Sequence, residues 1–439
     1  MVQRTLSSDL LGKAGHPARI EGWIHRRRQL ATISFLILRD RSGLAQVVVS
    51  DEATRQQLDG LGEETVVRVD GIVSANARAP GGVELTSPSI TELSAPAATP
   101  PVELWRPTLS SGLPTLLDYA PITWRHPVQQ AIWRLAAASL QGFRGALDGQ
   151  DFTEVHTPKL VAGSTESGAN VFTVDYFGRP AYLAQSPQFY KQMAMCAGFE
   201  RVFEIGPVFR ANPHVTARHD TEFVSVDVEM SWIESHEEVM AVEERWLRHV
   251  VATVEGDHGH EIARLFGRVV TVPDVPFPRV TMADAGRMLA KVAIGPQGPA
   301  PPKVTSTPRA IWLLAEHVAA EHGHELVFVT EYPAAVRPFY HMRLEDGSDL
   351  TRGFDLLWNG LEVTTGAQRE HRHDRLSAQA GANPSRIEVI QPYLDFFRHG
   401  CPPHGGFGLG LSRVLMCLLG SADVREVTFL HRDRNRLSP

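Results

Sequence analysis

The sequence predicts an α+β protein in two parts, a small β-barrel at the N-terminus and a larger domain that alternates strands with helices. Three observations predict it: five strand-like runs between Ala18 and Ile90, a Pro/Ala-rich stretch after them, and a long amphipathic stripe beyond.

The five runs are ARIEGWIHRR, TISFLILRD, LAQVVVS, TVVRVDGIVS and VELTSPSI, separated by polar or Gly-containing turns. Five such strands fit a Greek-key barrel of the OB type. The stretch APAATPPVELWRP can form neither a helix nor a central strand, because its prolines lack the N–H and restrict their neighbours. It reads as a linker, so the expected domains are 1–98, a hinge at 99–125, and 126–439. In HPVQQAIWRLAAASLQGFRGALDGQ, Val128, Ile132, Leu135, Leu140, Phe143 and Leu147 fall on one helical face. Further helices are expected near 236–254, 307–322 and 410–419.

At 439 residues, with 43% apolar and 21% charged, the chain can bury a large core, which excludes a disordered or repeat architecture. The N-terminus has no apolar h-region and no run reaches the roughly 18 apolar residues of a membrane span, so a cytoplasmic protein with no membrane partner is expected. Cys196, Cys401 and Cys417 form no CxxC pair, which excludes a four-thiolate zinc site and suits a reducing compartment. Net charge is −7, yet residues 1–50 carry eight Lys/Arg against three Asp/Glu, so any nucleic-acid contact should be local and N-terminal.

Three constellations carry chemistry. In ERVFEIGPVFRANPHVTARHDTEFVSVDVEMSW, alternation puts Phe223, Asp227 and Glu229 on one face of a strand and Val224, Val226, Val228 and Met230 on the other. With Arg210 and His219 nearby, that polar face could grip a nucleotide, guanidinium on phosphate and ring under base; read alone, the pattern favours a structural salt bridge beside a core Phe. In FDLLWNGLEVTTGAQRE, Asn359-Gly360 is a two-residue hairpin turn, which sets Leu357 opposite Glu362 and Asp355 opposite Thr364. Asp355 and Glu362 then share a face and could hold a hard cation such as Mg2+, or could be two solvated acids. In CPPHGGFGLGLSRVLMCLL a glycine-rich strand runs into an apolar helix with Arg413 in its first turn, so that a flat ligand could approach the backbone and stack on the Arg; this is neither a P-loop nor a dinucleotide fingerprint.

Together, FTEVHTPKL, FRANPHVTARHDTEF and GGFGLGLSRVLM resemble the three ordered motifs of class II aminoacyl-tRNA synthetases (subgroup b). The blocks GSTESGANVFTVDYF, AYLAQSPQFYKQM and FDLLWNGLEVTTGAQREHR are similar to the aspartyl and asparaginyl enzymes, which carry an N-terminal anticodon-binding OB domain. The resemblance implies a catalytic domain with an antiparallel sheet flanked by helices. It makes Arg210 the ligand of the α-phosphate and substrate carboxylate, His219 a γ-phosphate contact, and Phe223 with Arg413 the sandwich around adenine. Glu362 would hold Mg2+, with the hydroxyl of Thr365 as second ligand; strict alternation aims Thr364 instead, so a bulge is expected. Glu166 would bind the substrate ammonium, Gln188 and Asp227 would complete the amino-acid pocket, and Lys191 and Arg369 would face the substrate side chain. Two buried cations reward a carboxylate and leave an amide unpaired, so aspartate is expected over asparagine.

The implied reaction is ATP-dependent formation of aspartyl-adenylate, then transfer to the 3′ end of tRNA(Asp). In the barrel, Phe35 could stack on a base, Gln46 read a base edge, and Arg26, Arg27 and Arg28 hold phosphates. Pro158 resembles the dimer-interface proline of this class, implying a homodimer. The chain lacks the large insertion of bacterial aspartyl enzymes and resembles the archaeal type, within which His25 and Pro80 resemble residues of enzymes that charge both tRNA(Asp) and tRNA(Asn). Two positions depart from the subgroup: Asn212 where Glu is usual and Ser412 where an acid is frequent. Rival readings are an asparaginyl-tRNA synthetase and a non-catalytic tRNA-binding paralogue. A hydrolase metal site at His371, His373 and His404 fits no compact ligand spacing.

Overall fold

The computed structural model describes residues 3–163, 171–293, 308–381 and 384–438. The chain divides into two compact units, Met1–Gln130 and Ala131–Pro439.

The first unit is built on a closed barrel of β1 (Pro17–Gln29), β2 (Ser34–Arg39), β3 (Leu44–Val49), β4 (Val66–Ala75) and β5 (Val83–Ser94), in the order β1-β2-β3-β5-β4. Alternation does the sorting: Ile20, Ile24, Leu36, Leu38, Val47, Val49, Val67 and Val69 point inward and are almost fully buried. A helix that the sequence reading lacked, α1 (Glu52–Asp59), joins β3 to β4; the Asp51 side chain caps it by accepting from Thr54 N. Its sequence, EATRQQLD, carries no apolar stripe, which is why periodicity passes over it.

The second unit centres on an eight-stranded sheet: β6 (Thr153–Glu154), β7 (Arg201–Phe209), β8 (Glu222–Ser231), β9 (Arg279–Thr281), β10 (Leu326–Thr330), β11 (Gly353–Trp358), β12 (Leu361–Gln368) and β13 (His404–Gly410). The order is β9-β10-β11-β12-β13-β8-β7-β6, antiparallel except for its two outermost pairs. The helices α2 (Pro127–Asp148), α3 (Gln188–Cys196), α4 (His236–Phe266), α5 (Pro308–His322) and α6 (Leu411–Leu419) accompany it. α2 and α4 supply the core on one face, where Phe143 and Trp246 stack at 4.5 Å and bury Val226, Val228, Met230 and Phe407. α4 runs well past the expected residue 254: a Ser235–Glu238 capping box starts it, no proline interrupts it, and Gly267, at φ 65°, ends it. The opposite face of the central strands is left for polar side chains.

Candidate active site

On β8 the two faces separate as alternation demands. Val226, Val228 and Met230 enter the core, while Phe223, Ser225, Asp227 and Glu229 stand on the other face. The neighbouring strand β13 explains its glycines: Gly410, Gly408 and Gly406 lie opposite Ser225, Asp227 and Glu229. A Cβ on Gly406 would sit 2.3 Å from Glu229 Oε2, and one on Gly408 2.9 Å from Asp227 Oδ1. A Cβ on Gly406 would also sit 2.0 Å from the Val228 oxygen, so the glycine run makes room for close strand approach and for two buried carboxylates, rather than for a ligand along its whole length. Only at Gly410, 3.7 Å from the Phe223 ring, does it border the aromatic end of the site.

One cavity of about 270 Å³ is lined by Arg210, His219, Phe223, Glu362, Thr365 and Arg413 at one side and by Gln188, Asp227 and Arg369 at the other. The Arg210 guanidinium lies 5.4 Å from the Phe223 ring centroid, and its Nε is buried without a hydrogen-bond partner. Burial, then the neighbouring Arg413 and Arg210, lower the pKa of His219 and favour its neutral form. Arg413 is held by the Glu362 main-chain oxygen at 2.6 Å and Glu362 Oε1 at 3.2 Å.

The hairpin at Asn359-Gly360, both at positive φ, forms as expected. Its register is corrected by one residue: Leu357 faces Glu362, but Asp355 faces Thr365, not Thr364. The shift occurs at Leu356–Leu357, where the strand β12 bulges. It turns Thr364 towards α4, where its hydroxyl bonds the Glu243 carboxyl, and brings Thr365 Oγ1 to 3.4 Å from Glu362 Oε1. Asp355 does not line the cavity; its Oδ2 takes Arg337 Nη2 at 2.6 Å and its Oδ1 accepts no hydrogen bond. Beside Asp355, the half-buried Glu362 carboxyl is held above its ordinary pKa by partial desolvation first and that like charge second. A carboxylate, a hydroxyl and an unsatisfied buried carboxylate oxygen are the donors a hard divalent cation takes, so these residues fit Mg2+.

At the inner end the expected pair of free cations is not found. Lys191 does not line the cavity: it is 3% exposed and lies behind Asp227, with Nζ 3.0 Å from Asp227 Oδ1 and 3.3 Å from Glu229 Oε2. Arg369 bonds Glu229 Oε1 at 3.1 Å, the Gly406 oxygen at 2.9 Å, Gln188 Oε1 at 3.2 Å and His341 Nε2 at 3.1 Å. Two cations are thus balanced by Asp227 and Glu229, as burial requires. Burial pushes the Glu229 pKa up, but Arg369 and Lys191 outweigh it and keep the group ionised. Because guanidinium only donates, Gln188 must present its oxygen to Arg369, which leaves its Nε2 buried and unpaired. Glu166 lies outside the described residues.

Among the residues at the site given no role by the sequence reading are Glu229, Arg337 and His341. Glu229 was visible as the next outward position after Asp227; Arg337 and His341 sit in an irregular segment without periodic signal.

In the barrel, cross-strand partners place Arg28, Phe35 and Val48 in one outward row and Arg26, Ile37 and Gln46 in another. Phe35 is half-buried, on the outside of the barrel rather than in its core. Here Arg26 stacks on Trp105 at 3.8 Å, Arg27 turns to the Leu58 carbonyl, and Gln46 Nε2 donates to Glu84 at 2.8 Å. His25 is buried against Arg39, 3.0 Å from its Nη1, while Pro80 opens an exposed turn.

A family model described as tRNA synthetases class II (D, K and N) matches residues 113–434. The chain belongs to the class II tRNA synthetases. A second model, an OB-fold nucleic acid binding domain, matches residues 18–93. Among the synthetases, the chain is 41% identical to an aspartate–tRNA(Asp/Asn) ligase of Deinococcus radiodurans, over 100% of this chain and 99% of that one. It is 42% identical to an aspartate–tRNA(Asp/Asn) ligase of Methanopyrus kandleri, over 97% and 96%. Among solved structures, asparaginyl-tRNA synthetase from Pyrococcus horikoshii with asparaginyl-adenylate matches with a TM-score of 0.90 at 29% identity, covering 100% of both chains. Among the described residues no helix is long and apolar enough to cross a membrane.

Proposed function

We propose that this synthetase activates aspartate with ATP and transfers it to the 3′ end of tRNA(Asp) and of tRNA(Asn). One observation carries the reading: the nucleotide-type residues Arg210, Phe223, Glu362 and Arg413 share a single cavity with Gln188, Asp227 and Arg369. Phe223 and Arg413 clasp adenine, and Arg210 meets the α-phosphate, where charge develops as the aspartate carboxylate attacks and pyrophosphate leaves. Mg2+ on Glu362 and Thr365, with Asp355 behind, would neutralise the triphosphate. No protein nucleophile is needed.

Glu166 takes the substrate ammonium, and Gln188 and Asp227 complete the amino-acid pocket. Arg369 and the unpaired Gln188 Nε2 then present only donors to the side chain, which a carboxylate accepts and an amide NH2 opposes. The asparaginyl alternative requires an acceptor there. The outward row of Arg28 and Phe35 takes the anticodon, and Pro158 belongs to a homodimer interface. The decisive assay is ATP–pyrophosphate exchange with aspartate or asparagine, followed by charging of the two purified tRNAs. Exchange with aspartate alone, and aspartate on both tRNAs, is the expected result; exchange driven by asparagine, or none, refutes it.

A further inference from the structure

The loop between β7 and β8, residues 210–221, brings Arg210, Arg218 and His219 to the cavity, although Pro213–Ala217 are exposed and it contains no strand. Its internal ties are local: Arg210 N to the Thr221 oxygen at 2.8 Å, Asn212 N to the Arg210 oxygen at 2.7 Å, Asn212 Nδ2 to the Asp220 oxygen at 3.0 Å, Arg218 N to Thr216 Oγ1 at 3.2 Å, and Thr216 Oγ1 with His219 Nδ1 at 2.7 Å. None of these ties reaches beyond the loop.

The chain's C-terminal segment holds it from outside. Val424 N donates to the Ala217 oxygen at 2.9 Å, and Thr221 N and Oγ1 donate to the Arg432 oxygen at 3.2 and 2.8 Å. Arg434 Nη1 reaches the Pro213 oxygen at 3.4 Å. The side-chain contacts converge on Asp220, which lines the cavity next to His219. His431 Nδ1 lies 2.6 Å from Asp220 Oδ1, and the Thr428 hydroxyl, with one proton to give, lies 2.9 Å from the Val424 oxygen, 3.1 Å from Asp220 Oδ2 and 3.2 Å from Ser412 Oγ. The His431 side chain is 0% exposed, and its Nε2 lies 3.1 Å from Asp433 Oδ2. A buried imidazole between two carboxylates is retained only where every partner is in place, so this is a specified connection rather than incidental packing.

We propose that residues 424–434 form a strap that sets the height of loop 210–221 over the triphosphate, and that His431 is the positioning residue that fastens it through Asp220. This rests on the ATP reading of the cavity. His431 touches no substrate; it acts on Arg218 and His219 through Asp220.

The test pairs His431→Leu, which fills the space without hydrogen bonds, with His431→Asn, whose amide nitrogen takes the place of Nδ1. In aspartate-dependent exchange, His431→Leu should raise the KM for ATP about tenfold, the size expected for one hydrogen bond to a charged group, with a clearly smaller rise in the KM for aspartate. His431→Asn should recover most of that loss. Equal effects of Leu and Asn, an equal rise in the KM for aspartate, or no change would overturn the proposal. Should His431→Leu fail to fold, Asp433→Asn, which loosens only the outer bond, must still raise the KM for ATP selectively; unchanged kinetics there overturn it too. Amide hydrogen exchange across 210–221, measured without nucleotide, separates the two readings. Faster loop exchange in His431→Leu supports the strap even if the wild type shows no ATP chemistry, and an unchanged loop refutes the strap even if the ATP chemistry holds.

Discussion

Arg369 has no slack: each of its contacts is to a buried group, and among the described residues Arg369 and Lys191 are the cations paired with Glu229. Removing one partner of such a pair costs about 3–5 kcal/mol, because the other is left charged and buried. Arg369→Ala should therefore abolish aspartate-dependent pyrophosphate exchange and also lower the melting temperature, while tRNA binding to the barrel survives. Lys191→Ala should do the same by a different route, since Lys191 acts by anchoring Asp227 and Glu229 from behind the cavity wall. Gel-shift and exchange assays on the two variants check this; exchange at the wild-type rate in both would refute the substrate assignment. Gln188, Asp227 and Arg369 were legible in sequence because their motif blocks are continuous. The partners of Lys191 were not, because they depend on the register of β8 against β13, strands more than 170 residues apart.

At the scale of elements, the β11–β12 hairpin shows what a local signal can and cannot supply. Asn359-Gly360 specifies the turn, and the need to aim Thr365 at Glu362 specifies a bulge, but its place emerges only where Thr364 meets α4. There Glu243, fully buried, bonds Thr364 with one oxygen while the other has no partner. Burial, with Glu244 and Asp355 adding to it, pushes Glu243 up to about 8. Its folded pKa is raised, so its stability is fully present below about pH 4.5 and is lost as pH rises through about 8. Glu243→Gln, neutral and of the same shape, should be more stable than the wild type by a few kcal/mol at pH 8.5, with the margin vanishing near pH 4.5. Thermal melts across that range read the difference directly; a margin independent of pH would show that Glu243 does not titrate as described. The missed helix α1 and the unexpected length of α4 have one cause, since both EATRQQLD and EGDHGHEIARLF are mostly polar and hide helix from periodicity.

For the whole molecule, composition and the Pro/Ala-rich stretch were enough to expect two parts, because a barrel of short alternating strands and a domain of long helices have different periods. The second compact unit starts within α2, at Ala131, where a continuous helix carries no sequence mark of a boundary. What the sequence could not supply is convergence: Arg210, Phe223, Glu362, Arg369 and Arg413 meet only because β8, β12 and β13 are neighbours in one sheet. The most direct measurement of that convergence is a crystal structure with a non-hydrolysable aspartyl-adenylate analogue. Adenine should lie between Phe223 and Arg413, the bridging phosphate mimic on Arg210, and the aspartate side chain on Arg369 and Gln188 Nε2. An analogue bound with its adenine away from Phe223, or with its side-chain carboxylate away from Arg369, would contradict it.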